Sequence, residues 1–516
     1  MHYTQDMTEV VSQVKTRRGY IAGLDGLRAL AVLAVMLYHV FPTVFPGGYI
    51  GVDIFFVISG FLITTLLLKE HTKTGKIDFK NFWRRRARRL LPAIIVLIGV
   101  VSSIALFVHG DVLVGLGRQI IGALTFSNNW VEIAVGTNYF DNNNLQLFTH
   151  FWSLAVEEQF YAVWPFVLTG LIALSLVQES KKKGGWICLG LAAVSAIWMA
   201  AAYGGQDPTR VYYGTDTHLF GLMIGAALAF WEYARTAGVP TRRLSEHMPF
   251  QMTLFGKVLP LQIMGVIGLA GLVLLIVTMP EHSAFPYLGG LLLASVFAAL
   301  LLMATIGQSG ILQKIFAFRF LEWIGARSYG LYLWHWPIFV LLHAALPSAS
   351  LVVAVLTFVL TTIIAALSYR YVEMPVRNGG LRHTIRRSIK RKAIIISNAE
   401  TIWKVRPHPA LVGSLAVLVL TGVAIATAPA ETKAQAQIKA GQQAIREAAK
   451  QVHMEPLRQD SPPIATPKPQ EDIPTPSPPP VAPQTMAGAN ITLVGDSVAL
   501  ASAPSLVERF PGILID

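Results

Sequence analysis

The chain has 516 residues, 53% of them hydrophobic and only 14% charged, with a formal net charge of +13. Soluble chains carry about a quarter charged residues, so this composition excludes a soluble multidomain protein and points to long lipid-facing stretches. The Lys and Arg excess sits in short clusters between apolar runs, not along a continuous basic groove, which excludes nucleic acid as a partner.

A polar leader, residues 1–20, comes first and carries Lys15, Arg17 and Arg18. No small-residue cleavage pattern follows the first apolar run, so the leader is expected to be retained and cytoplasmic. A helix crosses the hydrocarbon core with about 20 apolar residues. Runs of that kind lie near 24–44, 50–69, 91–109, 152–177, 186–203, 214–236, 260–279, 286–306, 328–346, 349–371 and 411–428, predicting an all-α polytopic protein with about eleven transmembrane helices. The stretch 113–125 is a candidate shallow or re-entrant segment. The single cysteine, Cys188, falls inside an apolar run, so intrachain disulfides and cysteine-based metal sites are excluded, and no metal is expected.

The basic clusters test the count. Those at 84–89, 181–183, 242–243 and 377–392 follow the second, fourth, sixth and tenth runs, on the same side as the leader. That is the positive-inside pattern, with residues 379–410 as a basic cytoplasmic loop. An odd number of crossings carries the C-terminal part outside. Residues 429–488 read as an exported stalk and linker: 430–458 are rich in Ala, Gln and Lys, and ten of the 23 residues in 461–483 are proline. Such a proline density gives an extended spacer without a core. From 489 to 516 the composition turns apolar and strand-like, predicting the first strand, turn and helix of a globular α/β domain, incomplete at Asp516.

Ionisable groups inside apolar runs are functional candidates, because burying them is costly unless they are paired or hydrated. In "RALAVLAVMLYH", Arg28 and His39 are eleven residues apart. On a helix that is three turns plus about 20°, so both share a face, roughly 16 Å apart along the axis, with His39 toward the outer half. Asp25, one turn before Arg28, is a candidate partner for it. The competing reading is that Arg28 snorkels to the inner headgroups while His39 merely bonds a neighbouring helix. Asp53, Ser59 and Gly60 follow in the second run, with Gly60 expected to serve helix packing. In "HFWSLAVEEQFYAVWP", Glu157 and Glu158 need solvent, a cation or a histidine, and one arrangement has a glutamate fixing the tautomer of His39. "RSYGLYLWHWP" places Arg327, Tyr329, Tyr332 and His335 toward the inner part of the ninth helix, and Glu373 with Arg377 reads as an interfacial pair. On physics alone, such residues also suit a transporter or flippase for an envelope glycan precursor, although no internal repeat is evident.

Arg28 and His39 with ten residues between them, "FFVISGFL", "WRRRARRLLPA", "WSLAVEEQFY", "SYGLYLWHWP" and "YVEMP" together resemble the acyltransferase 3 family, over about residues 18–378. The resemblance implies a ten-helix membrane domain, 21–378, that moves acetyl from cytosolic acetyl-CoA to extracytoplasmic sugars in the bacterial plasma membrane. The extra helix 411–428, the Pro-rich linker and "LVGDSVAL" resemble the subclass fused to an SGNH-type domain, which implies peptidoglycan as acceptor, muramic acid O-acetylation and lysozyme resistance. Carried over by motif, His39 is the base or transient acyl acceptor, and Arg28 its partner toward the donor. Glu157 and Glu158 shape the site, Tyr139 in "TNYF" is a candidate acyl relay, and Ser497 matches the SGNH nucleophile. Arg327 joins Arg28 as a candidate for the donor phosphates. The later SGNH motifs with Asp and His do not follow Ser497, which is therefore expected to lack its base.

Overall fold

The computed structural model describes residues 23–108, 110–136, 145–174, 181–205, 207–236, 253–254, 257–258, 260–307, 310–377, 409–454, 492–493 and 514–515. The leader, most of the basic loop, the Pro-rich linker, Tyr139 and Ser497 fall outside these residues. The chain divides into two units, Met1–Ala428 and Pro429–Asp516.

In the first unit each predicted apolar run carries a helix. These are α1 (Leu24–Val40), α2 (Gly51–Thr74), α3 (Phe79–Val108), α4 (Phe151–Ala173), α5 (Lys181–Ala202), α6 (Phe220–Thr236), α7 (Leu261–Thr278), α8 (Leu291–Gly307), α9 (Ser328–Ala345), α10 (Ser350–Ser368) and α11 (Pro409–Ala426). Six helical stretches among the described residues are long and apolar enough to cross a membrane: Gly48–Thr74, Phe79–Val108, Lys183–Ala202, Leu261–Thr278, Pro286–Ile306 and Ser350–Arg377. The segment singled out at 113–125 forms a short turn and a ten-residue helix, Leu116–Thr125, at most about 15 Å long and too short to cross.

The layering follows from which helices are apolar all round. The stretch containing α2 is 78% buried, against 28% for those containing α5 and α10, so α2 is central and the other two are peripheral. Val194, Ile197, Leu351 and Val355 on the peripheral helices are exposed, as lipid-facing side chains are. Glycines set the closest approach in the centre. A Cβ on Gly60 of α2 would strike the backbone carbonyl of Leu222 in α6, and one on Gly225 of α6 would strike that of Val57. This pair of contacts is small-residue packing, as expected for Gly60. Gly23, with φ of 84°, turns the chain into α1 through a conformation that side chains disfavour.

α1 runs beside α9. A Cβ on Gly325, just before α9, would meet the carbonyl of Asp25, and the far end of α1 meets the middle of α9 at His39 and His335. After α10 the helix widens into a π turn, Tyr369–Glu373, before Met374–Arg377. Such widenings often serve to re-aim side chains.

In the second unit a helix, α12 (Lys433–Met454), occupies the predicted stalk. Thr492–Leu493 pairs in parallel with Leu514–Ile515, Thr492 opposite Leu514. The turn and helix predicted between them lie outside the described residues.

Candidate active site

The polar face of α1 meets two different environments, one at each end. At the His39 end the neighbours are rings and backbone carbonyls. Nδ1 of His39 lies 3.1 Å from Nε2 of His335 on α9, and the Trp336 ring centre is 4.5 Å from that of His39. Nδ1 of His335 is 2.6 Å from the carbonyl oxygen of Tyr332 and 3.3 Å from that of Leu331. A third histidine, His150, precedes α4 and has Nε2 3.1 Å from the Leu333 carbonyl. His39, His335 and His150 are all buried. The Tyr332 hydroxyl lies 2.9 Å from the His150 carbonyl and 2.6 Å from Ser153 Oγ, which is itself 3.4 Å from the same carbonyl.

At the Arg28 end lies a half-open cleft of about 770 Å³. Its walls include Arg28 from α1, Ser59 from α2, Arg86 and Arg89 from α3, Glu157, Glu158 and Tyr161 from α4, and Tyr329 and Tyr332 from α9. Arg86 and Arg89 are one turn apart and half-buried, whereas Arg84 and Arg85 on the same helix are exposed. The predicted pair forms: Arg28 Nη1 donates to Asp25 Oδ1 at 3.1 Å. Ser59 Oγ donates to Glu157 Oε1 at 2.9 Å, Tyr161 donates to Glu157 Oε2 at 3.4 Å, and the Arg86 guanidinium stands 4.9 Å over the Tyr161 ring. Glu158 Oε1 has no hydrogen-bond partner among the described residues. Arg28, Arg89 and Tyr329 also wall a smaller space of about 370 Å³, with Tyr369, Glu373 and Arg377 on its other side. The π turn thus brings Glu373, read from sequence as half of an interfacial pair, toward Arg28.

The structure keeps Arg28 and His39 on one face of α1 but gives them different companions. Arg28, Glu157 and Glu158 share the cleft; His39 is not among its lining residues and has His335 as a ring partner. The arrangement in which a glutamate orients His39 is therefore replaced: Glu157 is engaged by Ser59 and Tyr161, and an imidazole stands at His39. His335 is level with His39, not at the inner end where its motif suggested. Arg327 lines neither space. Its guanidinium sits 4.1 Å over Trp323 and 4.8 Å over Tyr369 and donates to the Trp323 carbonyl. Arg86 and Arg89, not Arg327, line the cleft beside Arg28; "WRRRARR" marked them as a topogenic cluster and part of a family motif, without a role in a site. The signal for His335 and Tyr332 was present in "SYGLYLWHWP", but their partners are 296 and 179 residues away in sequence.

Away from both regions, Asp53 is fully buried against His218, whose Nε2 lies 3.1 Å from Oδ1, with Ser295 donating to the same oxygen at 3.4 Å. His218 had no signal in the sequence, being a lone histidine in "TDTHLFG".

Comparison with known proteins agrees with this architecture. The family described as an acyltransferase domain, acyltransferase 3, matches residues 21–370. The peptidoglycan O-acetyltransferase OatA of Listeria monocytogenes is 41% identical over 368 residues, 70% of this chain and 57% of its own length. The putative peptidoglycan O-acetyltransferase YrhL of Bacillus subtilis is 40% identical over 375 residues, 71% and 56% of the two chains. A putative O-acetyltransferase of Staphylococcus aureus is 39% identical over 369 residues, 70% and 58%. The chain thus spans little more than half the length of these curated relatives. No solved structure matches.

Proposed function

The chain belongs to the acyltransferase 3 family, and from that premise we propose that it transfers acetyl from cytosolic acetyl-CoA across the bacterial plasma membrane to a hydroxyl of an extracytoplasmic glycan, peptidoglycan muramic acid. Buried charges alone leave a transporter or flippase open; family membership decides for acyl transfer. The observation that carries the reading is the continuity along α1 and α9 of an arginine-lined cleft with a buried histidine level. Tyr332 joins the two, lining the cleft with its ring while its hydroxyl and carbonyl hold His150 and His335.

Acetyl-CoA is anionic through its phosphates, and planar guanidinium groups pair well with phosphate oxygens. Arg86 and Arg89, with Arg28 behind them, form the donor end. The positive-inside clusters support placing that end, and the leader, in the cytoplasm, with eleven crossings carrying the C-terminal part outside. Glu157, tied to Ser59 and Tyr161, and Glu158 are the acidic wall that positions these arginines. The acetyl group reaches the histidine level past Tyr332. There His39 acts through a ring-nitrogen lone pair. It takes the proton of an acceptor hydroxyl as that oxygen attacks the thioester carbonyl and the C–S bond breaks, or it carries the acetyl itself and releases CoA. On the outer side Tyr139 and then Ser497 are the proposed relay positions toward the sugar. No metal enters this scheme.

The test is CoA release and acetyl transfer by the purified full chain in nanodiscs. Wild type is expected to release CoA from acetyl-CoA, and deletion of residues 430–516 is expected to preserve that membrane step. Wild-type CoA release by His39→Ala would contradict the reading.

A further inference from the structure

The cleft walls hold two polar side chains that no other described residue satisfies. Glu157 and Glu158 are neighbours on α4, yet only Glu157 is engaged, one oxygen by Ser59 and the other by Tyr161. Among the described residues neither oxygen of Glu158 has a hydrogen-bond partner, and its Oε1 is buried. Arg86 and Arg89 line the same cleft but form no ion pair with Glu158 there, so its charge reaches them through space alone. Arg86 lies instead against the ring faces of Phe82 and Tyr161. The second group is Ser328, the first residue of α9. It lines the cleft and is fully buried, and its Oγ has no partner among the described residues. Buried polar groups are nearly always paired, so two unpaired ones in one cleft mark where a ligand supplies the partners.

Their depth follows from the two helices. α4 and α9 run antiparallel, with the Gln146 carbonyl just before α4 bonded to Trp336 and Ser153 in contact with Tyr332. From that last contact toward the Arg28 end, Ser328 is four residues away on α9, about 6 Å, and Glu158 five residues away on α4, about 7.5 Å. The two groups therefore lie at nearly the same depth. Three residues further along α4, Tyr161 holds the Arg86 guanidinium over its ring. From the Arg28 end the cleft thus presents guanidinium groups, then an acceptor and a donor, then Tyr332 and the histidines. A carboxylate accepts an N–H and a serine hydroxyl donates to a carbonyl, which together complement one amide. We infer that Glu158 and Ser328 form an amide-binding subsite for the pantetheine arm of the acyl donor, Glu158 accepting from an amide N–H and Ser328 donating to an amide carbonyl. The inference rests on the proposed donor: in acetyl-CoA the phosphates, the amides of the arm and the thioester follow one another in the order of these three parts of the cleft.

The experiment measures CoA affinity by calorimetry on the full chain in nanodiscs, and its discriminating variant is Glu158→Leu. Were Glu158 only a counter-charge for Arg86 and Arg89, its removal would leave the cleft more positive and tighten binding of the anionic donor. As an amide acceptor, its removal costs a charge-assisted hydrogen bond, and CoA is expected to bind about 10- to 100-fold more weakly. Glu158→Gln keeps an acceptor oxygen and is expected to bind CoA within about threefold of wild type, and Ser328→Ala about fivefold more weakly. A CoA analogue with esters in place of both arm amides has no N–H to give. It is expected to bind wild type about tenfold more weakly than CoA does, and to lose no further affinity in Glu158→Leu. The inference is overturned by unchanged or tighter CoA binding in Glu158→Leu, or by equal affinity of wild type for CoA and the ester analogue. If Glu158→Leu does not accumulate, the analogue on wild type alone decides. Failure of the underlying reading looks different: wild type would then bind neither CoA nor the analogue, which removes the donor site and this subsite with it.

Discussion

The histidine level and the arginine cleft occupy opposite ends of one face of α1, and they are built on opposite principles. Around His39 rings pack on rings, and the polar atoms of its histidine neighbours are held by main-chain carbonyls of Tyr332, Leu331 and Leu333. Around Arg28 there is a cavity, and its polar atoms belong to flexible charged side chains. The first environment packs a ring tightly against its neighbours. In the proposed function the second receives a large anion. On the proposed function, a single stretch of helix thus carries a binding end and a reacting end, separated by roughly three turns.

Substitutions at the two ends should break different quantities. The largest expected effect is at the reacting end: His39→Gln should lower the rate of acetyl transfer by about 10²- to 10⁴-fold, the range for a general base, with the affinity for acetyl-CoA unchanged. A calorimetric titration beside a turnover assay checks both. At the binding end, Arg89→Ala or Arg86→Ala removes a charge-assisted contact of about 1.5–3 kcal/mol, which should raise KM for acetyl-CoA by about 10- to 100-fold. That penalty should shrink with donors lacking the nucleotide phosphates. Ser59→Ala takes one hydrogen bond from Glu157, about 1 kcal/mol, and should raise KM about fivefold with kcat little altered. The smallest effect belongs to Arg327→Gln. Its cation–π contacts are worth about 0.5–1 kcal/mol in stability, so a slightly lowered Tm with KM within about twofold of wild type is expected.

The comparison also explains what could be read in the sequence. Hydrophobic runs located the helices, because each needs only its own residues to be apolar. The Arg28–His39 face was legible for the same reason, as a spacing within one helix, and so was the Asp25–Arg28 pair. Gly60 was legible as a packing residue because small side chains in apolar runs mark close helix contacts. The His39–His335 pair was not, since it depends on how two helices 296 residues apart are rotated against each other. Arg86 and Arg89 were hidden differently. Five arginines in "RRRARR" satisfy the positive-inside pattern as a group, and only the path of α3 separates the two that line the cleft from the exposed Arg84 and Arg85 and from Arg88, which lies outside that lining. Arg327 shows the converse: a cation in a motif-like stretch whose charge is taken up by the faces of Trp323 and Tyr369.

The central claim is that donor binding and acyl chemistry are divided between these two ends. It is tested most directly by measuring acetyl-CoA affinity and single-turnover CoA release side by side in His39→Gln and in the double variant Arg86→Ala/Arg89→Ala. The account predicts that His39→Gln binds the donor as wild type does and does not release CoA. The arginine variant should bind weakly but release CoA at a near-normal rate once saturated. Equal loss of affinity and of saturated rate in both variants would contradict it.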